Sequence, residues 1–278
     1  MTRHAISAAQ SVIIVKTLTS ARHIGRGLFN ALAELGSVRM APPRDPHAAA
    51  HRLAGALGAV ARAHDLRVTL RGDVPRGAAL IVANHVSYLD PLAIVPMCPA
   101  LPIAKGEVES WPVVGAIGAA LGTIFVRRTD PSSRVRALRR VHDLLAAGTS
   151  VLNFAEGTTS KGREVLPFYR GTFGIAQRLG VPVIPVAIRY RDPEMAWCDG
   201  QTFFPHYVWM TGRPAIDVKL TFGAPMHPRT GESPEAMAAR CRGVISHLLD
   251  QTRWNDADPS ARVSTPRSNP VLSAAQRP

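Results

Sequence analysis

The sequence predicts an α/β fold in which a mixed, largely parallel central sheet is flanked by helices and preceded by an N-terminal amphipathic helix pair. Apolar runs rich in β-branched residues end repeatedly in polar turns, as buried strands do where they pass the chain to a helix. Segments with helical periodicity lie between these runs. With 278 residues and 46% hydrophobic content, the chain can form one such domain, or one domain with a small appended piece.

The first 66 residues predict two helices. Residues 4–35 place apolar side chains near a 3.6-residue period, and an alanine-rich helix over residues 47–66 follows three prolines. Eight Lys/Arg and three acids give this segment a net charge of +5. Basic amphipathic helices can lie in a membrane interface or pack on a protein domain, and the pattern does not separate the two. We predict residues 1–66 to be membrane-associating helices.

Residues 67–252 are predicted to form the main domain. Its strands are expected at residues 67–71, 79–84, 122–128, 150–154, 181–190 and 216–222. A short helix after residue 90, an arginine-rich helix after residue 130, a helix ending at Leu179 and one over residues 232–250 complete the pattern. Two prolines interrupt residues 181–190, and proline fits a central strand only at a bulge or an edge. Residues 253–278 are rich in Pro, Ser and Arg and predict a disordered tail.

A net charge of +13 indicates an acidic partner, either nucleic acid or an anionic membrane surface. Six arginines lie between residues 127 and 140 without an interleaved aromatic residue, which disfavours nucleic acid. The three cysteines are far apart and the histidines show no metal-ligand spacing, so no metal site is predicted. The sequence shows neither a long apolar run nor a signal peptide, and we expect a peripheral protein at the cytoplasmic face of the membrane.

The candidate catalytic pair is His85 and Asp90, which follow the apolar run Ile81-Val82-Ala83. In open α/β sheets, ligands bind at the carboxyl ends of strands, where a histidine with a carboxylate partner can act as general base. On a continuous helix the two side chains would point about 140° apart, so the pair requires a tight turn. The alternative is that Asp90 caps a helix that begins at Pro91 and that His85 is an ordinary loop residue.

Two other strand ends carry polar groups suited to an anionic substrate. Arg127 and Arg128 end one predicted strand, and Glu156-Gly157-Thr158-Thr159-Ser160 follows another. Small residues in such a turn expose backbone N–H groups that can bind a phosphate or an oxyanion. Lys161 and Arg163 add positive charge nearby.

Four stretches resemble, in order, the motifs of the 1-acyl-glycerol-3-phosphate acyltransferases and related lysophospholipid acyltransferases. The family patterns are N-H-x-S-x-x-D, G-x-x-F-[IV]-x-R, F-P-E-G-T-R-S and V-P-[IV]-x-P-V. They are similar to Asn84–Asp90, Gly122–Arg128, Phe154–Ser160 and Val181–Val186, and the resemblance spans about residues 67–225.

The resemblance implies a glycerol-phosphate acyltransferase-like fold and acyl transfer, without a cofactor or metal, in phospholipid biosynthesis. The implied donor is acyl-CoA or acyl carrier protein, and the implied acceptor is the hydroxyl of a lysolipid, with lysophosphatidic acid as the first candidate. His85 and Asp90 of the H-x4-D motif would be catalytic. The implied substrate-binding residues are Lys105, Arg128, Glu156, Gly157, Thr158, Thr159 and Ser160.

Thr159 departs from the pattern, because the family has an arginine there that is thought to hold the acceptor's phosphate. In this respect the chain resembles members that act on lyso-ornithine lipid or on other lysophospholipids, and Arg128, Lys161 or Arg163 could supply the missing charge.

Two other classes of function are considered. A non-enzymatic basic membrane-binding protein would be expected to lose the His85 and Asp90 pair, and a lipase-like hydrolase would need a G-x-S-x-G elbow, which is absent.

Overall fold

A computed structural model describes residues 8–198, 200–252, 254 and 263–264. Its described strands form one sheet in the order β4-β3-β5-β2-β6-β7-β1-β8. The strands are β1 (Leu66–Arg71), β2 (Leu80–Ala83), β3 (Leu101–Lys105), β4 (Ile124–Val126), β5 (Val151–Asn153), β6 (Val183–Tyr190), β7 (Ile216–Phe222) and β8 (Val263–Ser264).

The sheet is mixed and largely parallel, as predicted. The pairs β4–β3, β3–β5, β5–β2, β2–β6 and β1–β7 are parallel, whereas β6–β7 and β1–β8 are antiparallel. The flanking helices are α1 (Ala8–Met40), α2 (Pro46–Ala63), α3 (Asp90–Ile94), α4 (Val114–Ala120), α5 (Pro131–Ala146), α6 (Gly171–Leu179), α7 (Phe203–Thr211) and α8 (Pro234–Gln251). Because β2, β3, β4 and β5 run parallel, their carboxyl ends meet at one edge of the sheet.

Within the predicted main domain, β3 and α7 are elements that the sequence does not predict. β3 has a proline at its second position, and α7 is built from bulky aromatic residues with a proline in its first turn. Proline is unfavourable inside a paired strand, and α7 is apolar on most of its faces, so neither segment carries a clear periodic pattern. The predicted strand over residues 216–222 coincides with β7.

Strand β6 lies inside the sheet, between β2 and β7, although it contains Pro185. Pro185 aligns with Val82 of β2, and the antiparallel ladder with β7 begins one residue later, at Val186. Gly223 donates its backbone N–H to the Pro185 carbonyl at 2.8 Å. Antiparallel pairing resumes beyond the proline, where Val183 and Met226 exchange backbone hydrogen bonds, so residues 184–185 face the three residues 223–225. Pro185 therefore lies at a bulge in this pairing, which is one of the two positions expected from the sequence, and not at a sheet edge.

The N-terminal helices pack on the rest of the fold. α1 contacts α2, α4 and α7, and Val38 of α1 and Leu53 of α2 join the hydrophobic core. α1 also continues to Met40, beyond the predicted end at residue 35, and predicted residues 4–7 lie outside the described chain. No helix among the described residues has both the length and the apolar character needed to cross a bilayer. The proposed divisions at residues 66 and 252 stay predictions.

The predicted disordered tail needs one correction. Val263–Ser264 pairs antiparallel with β1 at the sheet edge, and Trp254 packs against Lys219, whose ammonium lies 4.5 Å from the ring centroid. The open edge of β1 can pair with such a segment, and the buried Lys219 ammonium can bind an aromatic ring. The composition of the tail does not reveal either partner. The other residues of the predicted tail lie outside the described chain.

Candidate active site

The chain leaves β2 through Asn84, whose side chain joins β2 to β6. Asn84 Nδ2 donates to the Ile188 carbonyl at 3.1 Å, and the Ile188 N–H donates to Asn84 Oδ1 at 2.8 Å. Asn84 is almost completely buried, so both polar ends of its amide need these partners. This pair of bonds fixes the start of the turn that carries His85.

His85 and Asp90 meet across that turn. His85 Nδ1 lies 2.7 Å from Asp90 Oδ2, and the backbone N–H groups of Val86 and Ser87 donate to the same oxygen at 2.7 and 3.1 Å. Asp90 is the first residue of α3, and its carboxylate faces back into the turn rather than capping the helix. The N-cap alternative is therefore wrong, because the oxygen that would bind the helix N–H groups binds the turn.

This arrangement sets the tautomer of His85. A carboxylate only accepts hydrogen bonds, so Nδ1 carries the proton and Nε2 keeps its lone pair. The Asp90 side chain is fully buried, whereas 21% of the His85 side chain is exposed. His85 therefore presents a basic nitrogen away from a buried anion, which is the arrangement of a general base with an orienting partner.

The ring of Phe154, directly after β5, holds the imidazole in place. The two ring centroids are 4.1 Å apart and the planes differ by 16°. Phe154 is buried, so it forms a rigid wall on one face of His85. In the sequence Phe154 is part of a motif, and no residue near it along the chain predicts this contact.

Glu156 has a different position from the one expected of a substrate-binding residue. It is buried, and its two oxygens accept backbone N–H groups from His85 at 2.8 Å and from Leu166 at 3.1 Å. Burial raises the pKa of Glu156, while the two N–H groups oppose that shift. Because both carboxylate oxygens accept backbone N–H groups, Glu156 connects the turn after β5 to the turn that carries His85. We therefore correct its predicted role from substrate binding to support of the His85 turn.

The Gly157–Ser160 turn lies against His85 and opens to solvent. Gly157 has φ +76° and would place a Cβ atom only 2.6 Å from the Tyr169 ring, so this position requires glycine. Ser160 N–H donates to the His85 carbonyl at 2.9 Å. Within the described chain, the N–H groups of Thr158 and Thr159 donate to no protein acceptor and are available to an anion.

Arg128 lies beside this turn. A Cβ atom built on Gly157 would be 3.2 Å from Arg128 Nη1, and Glu107 and Tyr169 are close enough to act on the guanidinium electrostatically. Lys105, at the end of β3, forms an exposed ion pair of 3.5 Å with Glu107. The structure thus places Lys105 and Arg128 at the same edge of the sheet as the β5 turn.

The other candidate cations lie elsewhere. Lys161 and Arg163 line a cleft of about 830 Å³ on the β6 side, where Val86 and Tyr190 also contribute and His85 does not. Arg127 lines a smaller hollow of about 360 Å³ formed with Ser133 and Arg136. Of the arginines considered from the sequence, Arg128 is therefore the one next to the Gly157–Ser160 turn.

One site residue has no local signal in the sequence. The Tyr190 hydroxyl, at the end of β6, donates to Asp90 Oδ1 at 2.9 Å. Tyr190 lies beyond the last recognised motif, and only the pairing of β6 with β2 brings it to the dyad.

Among the described residues, no group of three or more His, Cys, Asp or Glu side chains could hold a metal ion.

Comparisons with known proteins identify the family of the chain. A family described as Acyltransferase matches residues 65–189. The lyso-ornithine lipid O-acyltransferase of Brucella abortus is 31% identical over 221 residues, which are 73% of this chain and 83% of that protein. The 1-acyl-sn-glycerol-3-phosphate acyltransferase of Neisseria gonorrhoeae is 41% identical over 118 residues, which are 42% of this chain and 46% of that enzyme.

The fold has a solved counterpart. The crystal structure of the 1-acyl-sn-glycerophosphate acyltransferase from Thermotoga maritima superposes with a TM-score of 0.63 at 24% identity. The match covers 88% of this chain and 99% of that one, and at this identity it shows the fold alone. By its fold, its four motifs and a relative matched over most of its length, the chain belongs to the acyltransferase family that includes the 1-acyl-sn-glycerol-3-phosphate and lyso-ornithine lipid O-acyltransferases.

Proposed function

We propose that this protein transfers a fatty acyl group from a thioester, acyl-CoA or acyl carrier protein, to the hydroxyl of a lysolipid. The observation that carries the proposal is the 2.7 Å contact between His85 Nδ1 and the buried Asp90 carboxylate. It leaves His85 Nε2 free to accept a proton at the edge of the sheet where Arg128 and the Gly157–Ser160 turn lie.

The reaction follows from this geometry. An alcohol is a poor nucleophile at neutral pH, so His85 Nε2 removes its proton as the oxygen attacks the thioester carbonyl. The new C–O bond gives a tetrahedral intermediate whose oxyanion can accept hydrogen bonds from backbone N–H groups such as those of Thr158 and Thr159. The C–S bond then breaks, and the imidazolium returns the proton to the leaving thiolate.

Asp90 supports this cycle without exchanging a proton. Its negative charge keeps the proton on Nδ1 and stabilises the imidazolium that forms when Nε2 accepts the substrate proton. The substrate hydroxyl is the nucleophile, so no acyl-enzyme intermediate is expected.

Two acceptors fit the head-group side of the site. Lysophosphatidic acid would place its phosphate on Arg128, the arginine beside the Gly157–Ser160 turn. Lyso-ornithine lipid is favoured by Thr159, which has no charge to offer a phosphate, and by the relative matched over 83% of its length. We propose both as acceptors to be compared directly.

Membrane association is part of the proposal. Leu28, Phe29 and Leu32 of α1 are exposed apolar side chains, with 50%, 72% and 49% of their surface accessible. Together with a net charge of +13, they support peripheral binding to an anionic membrane, where lysolipid substrates reside.

The test uses the purified full chain with labelled acyl-CoA or acyl carrier protein and a panel of lysolipids, with products identified by mass. We expect a diacylated lipid from the wild type and no transfer by the variant His85→Ala. His142→Ala is a matched control, because His142 also contacts an aspartate, Asp143, at 3.2 Å but on the exposed face of α5.

Near-normal transfer by His85→Ala would overturn the mechanism, provided that its circular dichroism and melting temperature match the wild type. A wild-type protein that binds anionic vesicles and transfers no acyl group from either donor would favour the non-enzymatic membrane-binding alternative.

A further inference from the structure

The described residues donate four hydrogen bonds to the buried carboxylate of Asp90. Three reach Oδ2, from His85 Nδ1 and from the N–H groups of Val86 and Ser87. The fourth comes from the Tyr190 hydroxyl, which lies 2.9 Å from Oδ1. Each carboxylate oxygen has two lone pairs, so Oδ2 is fully used, whereas Tyr190 is the only donor to Oδ1 among the described residues.

Tyr190 is rigidly placed for this contact. It is the last residue of β6, it is buried, and it pairs with Val218 on β7. Two residues earlier, Ile188 is held by both polar ends of the Asn84 side chain. The hydroxyl is therefore positioned by the same strand pairing that positions the His85 turn.

The phenol stays a donor at neutral pH. Burial raises the pKa of Tyr190, and the nearby charge of Asp90 raises it further. When His85 is an imidazolium, it forms an ion pair with Asp90. The Tyr190 hydroxyl and His85 then both stabilise the negative charge of Asp90.

We propose that Tyr190 is a positioning residue of the catalytic dyad, which it completes by holding Asp90 Oδ1 so that Oδ2 stays directed at His85. The inference rests on the proposed function and extends the site to the end of β6. Loss of the hydroxyl leaves Oδ1 buried without this donor, and more of the aspartate charge must then be balanced by His85. The imidazolium form is favoured as a result, and the free base appears only at higher pH.

The first test compares Tyr190→Phe with Tyr207→Phe. Tyr207 is a matched control, because its hydroxyl also contacts a histidine, His64 Nε2 at 2.9 Å, but on α7. For Tyr190→Phe we expect kcat to fall about 10-fold, short of the 10²–10⁴-fold of a lost general base, with both KM values within about twofold. The acid limb of its pH–kcat profile should move to higher pH, whereas Tyr207→Phe should leave kcat and the profile unchanged.

A double-mutant cycle with Asp90→Asn separates positioning from general stability. If Tyr190 acts through Asp90, Tyr190→Phe should cost little further kcat in the Asp90→Asn background. Independent, multiplying losses would overturn the inference, as would a Tyr190→Phe profile that has the shape of the wild type.

Two further measurements test the inference if Tyr190→Phe does not fold or if the wild type shows no acyl transfer. If Tyr190→Phe does not fold, 3-fluorotyrosine at position 190, a nearly isosteric and stronger donor, should move the acid limb to lower pH. If the wild type transfers no acyl group, the proposed function fails separately. The pH dependence of His85 carbethoxylation, followed by peptide mass spectrometry, then decides whether Tyr190→Phe shifts the titration of His85, and an unshifted titration overturns the inference.

Discussion

The imidazole of His85 and the ring of Phe154 are stacked, with centroids 4.1 Å apart and an interplanar angle of 16°. His85 comes from the turn after β2 and Phe154 from the end of β5, two neighbouring parallel strands. The stack restricts rotation of the imidazole about its side-chain bonds, while Asp90 fixes which nitrogen faces the substrate.

Replacing Phe154 with leucine should therefore reduce kcat by about 3- to 10-fold, since aromatic pairs contribute about 0.5–1.5 kcal/mol beyond burial. KM should change little, because Phe154 orients the base rather than the substrate. Phe173→Leu is the control for stability, since Phe173 is fully buried and stacks on Phe168 instead. A Phe154→Leu enzyme with wild-type kcat would show that the stack has no catalytic role.

Arg128→Ala should raise the KM of the lysolipid acceptor about 10-fold and leave the KM of the acyl donor unchanged. The reason is the position of its guanidinium beside Gly157, where it can make charge-assisted hydrogen bonds with an anionic head group. Steady-state kinetics with each substrate varied in turn provide the measurement. Arg139→Ala, an exposed arginine of α5, is the matched control, and equal effects of the two variants would remove Arg128 from the site.

Thr159→Arg should shift acceptor preference towards lysophosphatidic acid. An added guanidinium in the turn supplies a phosphate partner, so the ratio of kcat/KM for lysophosphatidic acid to that for lyso-ornithine lipid should rise about 10-fold. Thr158→Arg, at the exposed neighbouring position, controls for a general gain in positive charge. The same shift in both variants would mean that position 159 does not select the head group.

Glu156→Gln should lower the free energy of unfolding by about 1–3 kcal/mol at pH 7. The amide oxygen can accept only one of the two backbone N–H groups, and the amide NH₂ would face the other N–H group, which then has no acceptor. The pH dependence has a defined sign. Folding raises the pKa of Glu156, so the native state retains its proton to higher pH than the unfolded chain. The stabilisation from this group is therefore complete below its unfolded pKa and is lost as the pH rises through its folded pKa.

Urea unfolding of wild type and Glu156→Gln between about pH 4 and pH 8 provides the measurement, with linear extrapolation to water. The wild-type advantage should be larger at the acidic end of this range and decline towards neutral pH. Glu164→Gln, an exposed glutamate in the following loop, should show no comparable decline. An advantage that grows with pH would contradict the assigned shift.

The double variant Phe29→Ser and Leu32→Ser should weaken binding to anionic phospholipid vesicles by at least about 10-fold, because burial of each such side chain contributes about 1.5–3 kcal/mol. Co-sedimentation with anionic and with neutral vesicles measures the effect. Val135→Ser, an exposed apolar position on α5, is the control. Unchanged sedimentation of the double variant would exclude this face of α1 from the membrane contact.

Local sequence patterns were sufficient for much of the fold. The apolar runs of β2, β5 and β6 are encoded residue by residue, because a buried strand needs side chains that fill a core on both faces, and β7 follows from its alternation of apolar and polar residues. The spacing of His85 and Asp90 also required a turn rather than a helix, and the structure contains that turn. A segment such as α7, in which aromatic residues surround a proline, lacks such a pattern and was missed.

The sequence by itself predicted where β2, β5 and β6 end, the turn that the spacing of His85 and Asp90 requires for a dyad, and the family to which the chain is similar, since each motif consists of residues close together along the chain. Only the tertiary structure decided that Tyr190 completes the Asp90 contacts, that Phe154 stacks on His85 and that Glu156 braces two turns instead of binding substrate. These contacts join strands that are distant in sequence, and strand order is set by long-range packing rather than by local periodicity.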